Sequence, residues 1–140
     1  MKNKINNLKL HHQVYDLLII SAQEATPSET CGILFGTQNI ISGSVSITNI
    51  STDQSRFIFD PDEYIKALYE LQKNNLLQLG IYHSHPFGPG YPSNTDISNN
   101  ISDDHIHFII FNKSNIWDIK AFKISGQTFH EIVFGVESSE

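Results

Sequence analysis

Apolar and polar residues alternate along this chain with two different periods, and the longer period predicts two helices. The first helix runs from Gln13 to Glu24 and is closed by Thr26-Pro27. The second begins at Asp60-Pro61, where proline suits a first helical turn, and ends near Asn74-Asn75. In both segments the apolar residues recur every three or four positions, so each helix presents one apolar face to a sheet. These positions are Val14, Leu17, Leu18 and Ala22 in the first helix and Tyr64, Ile65, Leu68 and Leu71 in the second.

Shorter apolar runs bounded by turn residues predict the strands. The turns are clearest at Gly36 to Asn39, Asn112 to Asn115 and Ser125-Gly126. A loop rich in glycine and proline precedes a further short helix from Ser93 to about Asn100. This order of elements predicts one α+β domain over residues 1–140, with a flexible tail at 137–140. The predicted strands are Cys31 to Phe35, Ile41 to Ile50, Arg56 to Phe59, Leu79 to His85, His105 to Phe111, Ile116 to Ile124 and Thr128 to Phe134.

Composition narrows the partners of such a domain. The 140 residues carry a formal net charge of -6, and Arg56 is the only arginine. The chain therefore lacks the basic surface that binds phosphate backbones, and no nucleic-acid partner is expected. A single cysteine, Cys31, cannot form an intramolecular disulfide, which suits a reducing compartment, and its apolar neighbours predict that it is buried. The apolar cluster Leu17 to Ile20 is too short for the apolar core of a signal peptide or for a transmembrane segment. We therefore expect a cytoplasmic protein without membrane contact.

Two histidines at the end of a predicted strand supply the candidate chemistry. His83 and His85 are two positions apart, so their side chains point to the same face of the strand. Ser93 and Asp96 follow a turn-rich loop, residues 87–92, that can bring both back over the strand end. Catalytic zinc takes three protein ligands and leaves its fourth position to water. His83, His85 and Asp96 are therefore a candidate ligand set for one Zn²⁺ per chain.

Each part of this arrangement also has an ordinary explanation. His105 and His107 repeat the same spacing without a following serine and aspartate, and we interpret them as the polar side of a strand, or one of them as a packed core histidine. Ser93 and Asp96 match a capping box, in which the serine caps a helix and the acid three residues later reaches back to it. The combination of a histidine pair, a turn and Ser-x-x-Asp favours the metal site over these separate explanations.

The residues around this site resemble the signature of the JAMM, or MPN-plus, zinc metallopeptidases. The downstream part is His83-Ser84-His85-Pro86, followed by Pro92-Ser93 and Asp96. The upstream part matches the Glu-x-Cys-Gly-x-Leu-x-Gly motif of that family at Glu29 to Gly36. The resemblance implies an MPN domain with a mixed sheet flanked by helices, similar to the cytidine deaminase fold. Further matching residues between the two parts are Asn49 and Phe57 to Pro61.

The resemblance also implies a role for each site residue. Glu29 is the shuttle that takes a proton from water and hands it to the leaving amine, whereas a glutamate before a strand is otherwise an exposed surface residue. Ser93 donates a hydrogen bond to the oxyanion of the tetrahedral intermediate and can also cap its helix. Zinc on His83, His85 and Asp96 lowers the pKa of its water to roughly 7.

The family indicates a substrate class. Its best-known members cut an isopeptide bond after the Gly-Gly tail of a ubiquitin-like protein, which they hold beside a strand as an added strand. For a chain of this length the resemblance implies either deconjugation of such a protein or processing of the C-terminus of a ubiquitin-like or sulfur-carrier protein. Phe87 and Tyr91 either flank a narrow channel for this tail or only pack. The sequence leaves open the oligomeric state and any association with other proteins of a conjugation pathway.

Two other function classes compete with a peptidase. A catalytically silent MPN scaffold is disfavoured because Glu29 and all three ligand residues are present. A zinc hydrolase of small molecules, such as a deaminase-like enzyme, needs a Cys-x-x-Cys ligand pair that a chain with one cysteine cannot supply. A run of acidic residues either meets a basic patch on a partner or serves the start of a helix. These residues are Asp53, Asp60, Asp62 and Glu63.

Overall fold

The fold is one mixed sheet with helices packed against it, seen in a computed structural model that describes residues 7–100 and 104–138. The helices are α1 (His12–Ala25), α2 (Pro61–Lys73) and α3 (Asn94–Ser98). The strands are β1 (Lys9–His11), β2 (Cys31–Thr37), β3 (Ile40–Ser46), β4 (Leu77–His85), β5 (Ile106–Lys113), β6 (Ile116–Ser125), β7 (Thr128–Ile132) and β8 (Gly135–Glu137). Within the described residues they form one eight-stranded sheet in the order β7-β6-β5-β4-β2-β3-β1-β8. The predicted α+β class is confirmed.

Strand alternation divides the core into two layers. Leu34 belongs to the larger apolar cluster, which includes Val14 and Leu18 of α1. Ile33, the preceding residue, belongs to a second cluster with Leu71 of α2. Because successive strand residues point to opposite faces, α1 and α2 cover opposite faces of the sheet.

The end of β4 lies on the face that α2 covers. Ile33 pairs with Ile81 across the antiparallel β2–β4 ladder, and directly paired residues point to the same side. His83 and His85 therefore share that side, two and four positions further along β4. On its other flank β4 pairs with β5 in parallel, so the C-terminal ends of both strands lie at the same end of the sheet. The predicted site is thus placed at the end of a central pair of parallel strands.

The start of α2 shows what the acidic residues do locally. The Asp60 carboxylate accepts hydrogen bonds from the backbone N–H groups of Asp62 at 3.0 Å and Glu63 at 3.3 Å, and Pro61 occupies the first turn. The Glu63 carboxylate accepts hydrogen bonds of 2.7 Å from both the backbone N–H and the hydroxyl of Thr48. These contacts favour the helix-start interpretation of the acidic run over a docking surface.

The segment between β3 and α2 differs from its prediction. The strand predicted over Ile41 to Ile50 ends early, and the strand predicted over Arg56 to Phe59 is reduced to an isolated bridge between Asn49 and Phe59. The reason is Asn49, whose Oδ1 accepts a 2.9 Å hydrogen bond from the backbone N–H of Ile58. The Asn49 side chain thus accepts the hydrogen bond that the backbone of a neighbouring strand would otherwise accept.

The edge of the sheet formed by β1 and β8 is a second difference. Each of these strands has three residues, too few for an alternating pattern to be recognised, and neither was predicted. The predicted tail begins at Glu137, but the structure pairs this residue with His11. The last two positions of that tail, 139–140, lie outside the described residues. In the described part of the chain, no helix has the length and apolar character needed to cross a membrane.

Candidate active site

Three predicted ligand residues converge at the end of β4. The Nε2 atoms of His83 and His85 lie 3.0 Å apart, and Oδ2 of Asp96 lies 3.1 Å from each of them. Both histidines are buried, with 1% and 5% of their surface exposed. One donor atom from each residue thus points at a common centre.

The local sequence explains how Asp96 reaches the histidines. Ser93 caps α3, and its Oγ accepts a 3.0 Å hydrogen bond from the backbone N–H of Asp96. In return the Asp96 Oδ2 accepts a 2.9 Å hydrogen bond from the backbone N–H of Ser93. The capping box that competed with the metal site is therefore present, and it aims the carboxylate at the two imidazoles. The two interpretations of these residues are compatible.

Neighbouring groups orient both imidazole rings. His85 Nδ1 lies 2.7 Å from the backbone carbonyl oxygen of Pro89, which can only accept a hydrogen bond, so Nδ1 carries a proton. In the neutral ring Nε2 then has a free lone pair directed at the centre. The His83 ring stacks on Phe57 with 4.5 Å between ring centroids. Its Nδ1 is buried and has no hydrogen-bond partner among the described residues, so Nε2 is its one engaged nitrogen.

The charges of the three groups respond to their proximity. Burial lowers the pKa of His83, against the opposing effect of Asp96. Burial also acts to lower the pKa of His85, but its hydrogen bonds with Asp96 and Pro89 raise it above the usual value. Burial disfavours ionisation of Asp96, yet the two histidines and the Ser93 N–H hold its pKa well below its usual range. A carboxylate is therefore kept ionised inside the protein.

The donor set fits a small divalent cation. In a tetrahedral zinc site with bonds of roughly 2.0–2.2 Å, neighbouring ligand atoms are about 3.3–3.5 Å apart. The observed distances between the three ligand atoms are 3.0 and 3.1 Å. An outward shift of only a few tenths of an ångström would bring them to that spacing. Two imidazole lone pairs beside a carboxylate repel one another unless a cation or a shared proton lies between them. The triangle leaves one side open for a fourth ligand.

Glu29 lies beside this triangle, in the short segment between α1 and β2. It is buried, with 6% of its surface exposed, and its Oε1 has no hydrogen-bond partner among the described residues. Burial raises the pKa of Glu29 to about 7, with Asp96 and Asp53 adding to the rise and His85 opposing it. In the metal-free protein this carboxyl group therefore binds its proton more tightly than an exposed glutamate does.

Two hydrogen-bonded side chains hold the backbone around Glu29. Asn49 Nδ2 donates a 2.9 Å hydrogen bond to the Glu29 carbonyl. The backbone N–H of Thr30 donates a 2.8 Å bond to Ser84 Oγ, and the N–H of Ser84 donates a 3.0 Å bond to the Thr30 carbonyl. Ser84 lies between the two histidines in sequence, and strand alternation directs it away from them. It therefore ties the Glu29 segment directly to the strand that carries the ligands.

The Ser93 hydroxyl can still donate a hydrogen bond while it caps α3. In the described contacts its Oγ serves as an acceptor for the cap, and a hydroxyl can accept and donate at the same time. The cap therefore does not consume the proton that an oxyanion would require.

The second histidine pair has a different environment. His105 precedes β5, whereas His107 lies within it and is buried. His107 Nε2 is 3.0 Å from Oδ1 of Asn100, and burial lowers the pKa of this histidine to about 4. His107 is thus the packed histidine that the sequence allowed for, and it is neutral. It also lines a cavity beside the site, together with His105 and Arg56, which the sequence did not link to the site.

The two loop aromatics have different surroundings. Tyr91 stacks on Phe129 of β7, with parallel rings 6.2 Å apart, so packing fixes it. Phe87 is 78% exposed and lies two residues after His85. Its ring is therefore largely in solvent, and a place beside a substrate channel stays a prediction.

Comparison with known proteins places the chain in a family. The family described as prokaryotic homologs of the JAB domain matches residues 11–125. The desampylase of Pyrococcus furiosus is 36% identical over 85 residues, which are 61% of this chain and 61% of that protein. The desampylase of Haloferax volcanii is 24% identical over 139 residues, covering 94% of this chain and 98% of that protein. A probable TtuB-protein conjugate cleaving protease of Thermus thermophilus is 35% identical over 72 residues, 51% of this chain and 48% of that protein.

Solved structures agree on the fold. A protein from Desulfitobacterium hafniense superposes with a TM-score of 0.82 at 25% identity, over 94% of both chains. A JAB1/MPN domain protein from Archaeoglobus fulgidus superposes with a TM-score of 0.63 at 20% identity, over 92% of this chain and 99% of that one. The mixed sheet with flanking helices is thus the MPN/JAMM fold. The chain belongs to the JAMM/MPN family, among the prokaryotic homologs of the JAB domain.

Proposed function

We propose that this protein is a zinc-dependent peptidase or isopeptidase that hydrolyses the bond after the C-terminal tail of a ubiquitin-like protein. The observation that carries the proposal is the triangle of His83, His85 and Asp96 with the buried carboxyl group of Glu29 beside it. Relatives named desampylase and conjugate cleaving protease support the substrate class. Membership of the JAMM/MPN family supports a metallopeptidase over other hydrolases.

The ligand triangle would hold the metal. His83 and His85 supply neutral imidazole nitrogens and Asp96 supplies an anionic oxygen, which suit zinc. Bound zinc supplies Lewis acidity, which makes water a nucleophile near neutral pH and polarises the carbonyl under attack. The hydrogen bond between His85 and the Pro89 carbonyl keeps the lone pair of that ring directed at the ligand centre.

Glu29 would carry the proton between the two halves of the reaction. Its carboxylate takes a proton from water while the water oxygen bonds to the carbonyl carbon of the tail. When the C–N bond breaks, Glu29 returns the proton to the leaving amine. Burial raises the pKa of this carboxyl group to about 7 in the metal-free protein and so favours the return of the proton to the amine.

Ser93 would stabilise the charge that develops on the carbonyl oxygen. Its Oγ already accepts the capping hydrogen bond, and its hydroxyl proton is the remaining donor. A donor of this kind is worth roughly 3 kcal/mol in other hydrolases.

The decisive experiment uses zinc-loaded protein and ubiquitin-like proteins with either a C-terminal extension or an isopeptide-linked lysine. Intact-mass spectrometry is expected to show cleavage after Gly-Gly by the wild type and none by Glu29→Gln. Glu24→Gln is the matched control, because Glu24 lies on α1 and is exposed. A wild type that binds one zinc but cleaves no such protein would instead favour a silent scaffold.

A further inference from the structure

A cavity of about 500 Å³ opens from the candidate site into the gap between α2 and α3. His83 and Asp96 are among its lining residues, so the cavity begins at the metal ligands themselves. One wall is apolar and is formed by Phe57 to Phe59 and by Tyr64 at the start of α2. The polar lining residues come from α3, from the two positions after it and from the start of β5 with the residue before that strand.

The size of this cavity indicates which part of a substrate enters it. The proposed function places two glycines on the acyl side of the scissile bond, and glycine has no side chain to fill such a space. Earlier residues of an extended tail lie at least about 7 Å further away, since a strand advances roughly 3.3 Å per residue. A volume of about 500 Å³ is in the range of small-molecule sites, so it suits one or a few residues with side chains. The residues that fit the cavity are then those that follow the scissile bond.

Two charged side chains line the cavity, the Asp96 carboxylate at the ligand triangle and the Arg56 guanidinium. Among the described residues that line it, Arg56 is the one permanent cation, since a histidine is charged only when protonated and burial lowers the pKa of both His105 and His107. In the described part of the chain, Arg56 forms no ion pair within 4.0 Å, and its buried Nε has no hydrogen-bond partner. Its backbone is nevertheless held, since Asn49 Nδ2 donates a 3.3 Å hydrogen bond to the Arg56 carbonyl. Its charge acts on Asp53 only from beyond ion-pair distance, so the guanidinium can take a carboxylate in the cavity as a closer partner.

We propose that this cavity binds the leaving amino acid or short peptide and that Arg56 binds its free C-terminal carboxylate. The preferred substrate is then a ubiquitin-fold protein whose Gly-Gly tail continues, through an ordinary peptide bond, into a short apolar C-terminal extension. This inference rests on the proposed function and specifies its substrate. In the reaction water adds its oxygen to the glycine carbonyl carbon, the C–N bond breaks, and the extension leaves with a protonated amine and its carboxylate intact.

An isopeptide-linked lysine offers no such anion. Its scissile nitrogen ends a four-carbon side chain, and its own carboxyl group is part of a folded protein backbone. The apolar wall could accept the lysine stem, but Arg56 would have no negative partner. Arg56 therefore distinguishes C-terminal processing from deconjugation.

Peptide binding tests the inference without relying on turnover. The probes are acetyl-Gly-Gly-Leu with a free carboxylate and the same peptide with a C-terminal amide, titrated by NMR into zinc-loaded Glu29→Gln protein. We expect the acid to bind roughly tenfold or more tightly than the amide, because the acid can form a charge-assisted hydrogen bond. Equal affinities, including failure of both peptides to bind, would overturn the inference.

Variants of Arg56 assign the effect to this residue. Arg56→Gln in the same background should bind acid and amide equally, whereas Arg56→Lys should keep part of the preference. Lys66→Gln is the matched control, because Lys66 is an exposed cation on α2 that does not line the cavity. Thermal unfolding of each variant checks that it is folded. A preference that survives Arg56→Gln refutes the assignment.

The outcome is separable from that of the proposed function. If wild-type protein hydrolyses isopeptide-linked lysine and extended tails equally well and Arg56→Gln changes neither, the function stands and the inference fails. If no ubiquitin-fold protein is cleaved but the acid peptide still binds through Arg56, the carboxylate site stands and the proposed reaction fails.

Discussion

Replacement of Glu29 by glutamine should stabilise the metal-free protein at neutral and alkaline pH. Burial raises the pKa of this carboxyl group from 4.5 to about 7. A raised pKa in the folded state means that folding disfavours the charged form. The resulting contribution to stability is therefore fully present below pH 4.5 and is lost as the pH rises through 7. Glutamine has nearly the same shape and never ionises, so the variant avoids this loss.

The size of the effect follows from the shift. At 1.36 kcal/mol per pKa unit, a rise from 4.5 to about 7 corresponds to roughly 3 kcal/mol. We expect Glu29→Gln to match the wild type near pH 4 and to exceed it by up to about 3 kcal/mol at pH 8. With zinc bound the difference should shrink, because a nearby cation favours the carboxylate.

The assay is urea unfolding of zinc-free wild type and variant at intervals from pH 4 to pH 8. Glu24→Gln serves as the control, since an exposed carboxylate should give a difference that does not grow with pH. A free energy of unfolding that differs between Glu29→Gln and wild type by the same amount at every pH would refute the reasoning. It would show that the Glu29 carboxylate is solvated in the folded state and is not tuned for proton transfer.

Three further substitutions test other parts of the site and the fold. His83→Ala should abolish stoichiometric zinc binding in metal analysis, and tight retention of one zinc would remove His83 from the ligand set. Ser93→Gly should leave the unfolding midpoint nearly unchanged, because glycine is only a few tenths of a kcal/mol worse than serine as a helix cap. Turnover should fall roughly 100-fold or more. Undiminished turnover would exclude Ser93 as the oxyanion donor. Gly32→Ala should destabilise the domain by roughly 1–3 kcal/mol or more in chemical denaturation, because the added Cβ would lie 2.2 Å from the carbonyl oxygen of Val45 and 2.6 Å from the Tyr82 ring. A neutral result there would mean that β2 and β3 can separate without cost.

Local patterns predicted the long elements well. Both predicted helices are present, and Asp60-Pro61 marks the start of α2 both in the sequence and in the structure. Two predicted members of their apolar faces, Leu17 and Ile65, are instead exposed, because they lie at the margins of the stripes that pack on the sheet. Short elements were missed, because β1 and β8 contain only three residues each. The segment before α2 was predicted as a strand because its apolar residues resemble one. In the structure the Asn49 side chain accepts the hydrogen bond from the Ile58 N–H that a neighbouring strand would otherwise accept.

The sequence alone determined which residues are chemically competent at the site. Three features can be identified without coordinates. They are two histidines that point to the same face of a strand, a capping box that carries an acid, and a distant glutamate in a glycine-containing motif. The histidine pair and the capping box depend on spacing within a few residues, because local backbone geometry limits where such side chains can point, whereas Glu29 was assigned by resemblance to the family.

Tertiary structure decided what depends on packing between distant segments. It brought Glu29 out of water beside a strand more than fifty residues later in the chain, and burial raised the pKa of its carboxyl group to about 7. It also separated His107 from the ligand set, although His107 and His83 have the same local pattern, because only the end of β4 faces Asp96. Finally, it left Arg56 at the wall of a cavity, a placement that no local periodicity encodes. Burial and proximity across the fold are properties of the packed chain, and they turn residues of ordinary chemistry into a site.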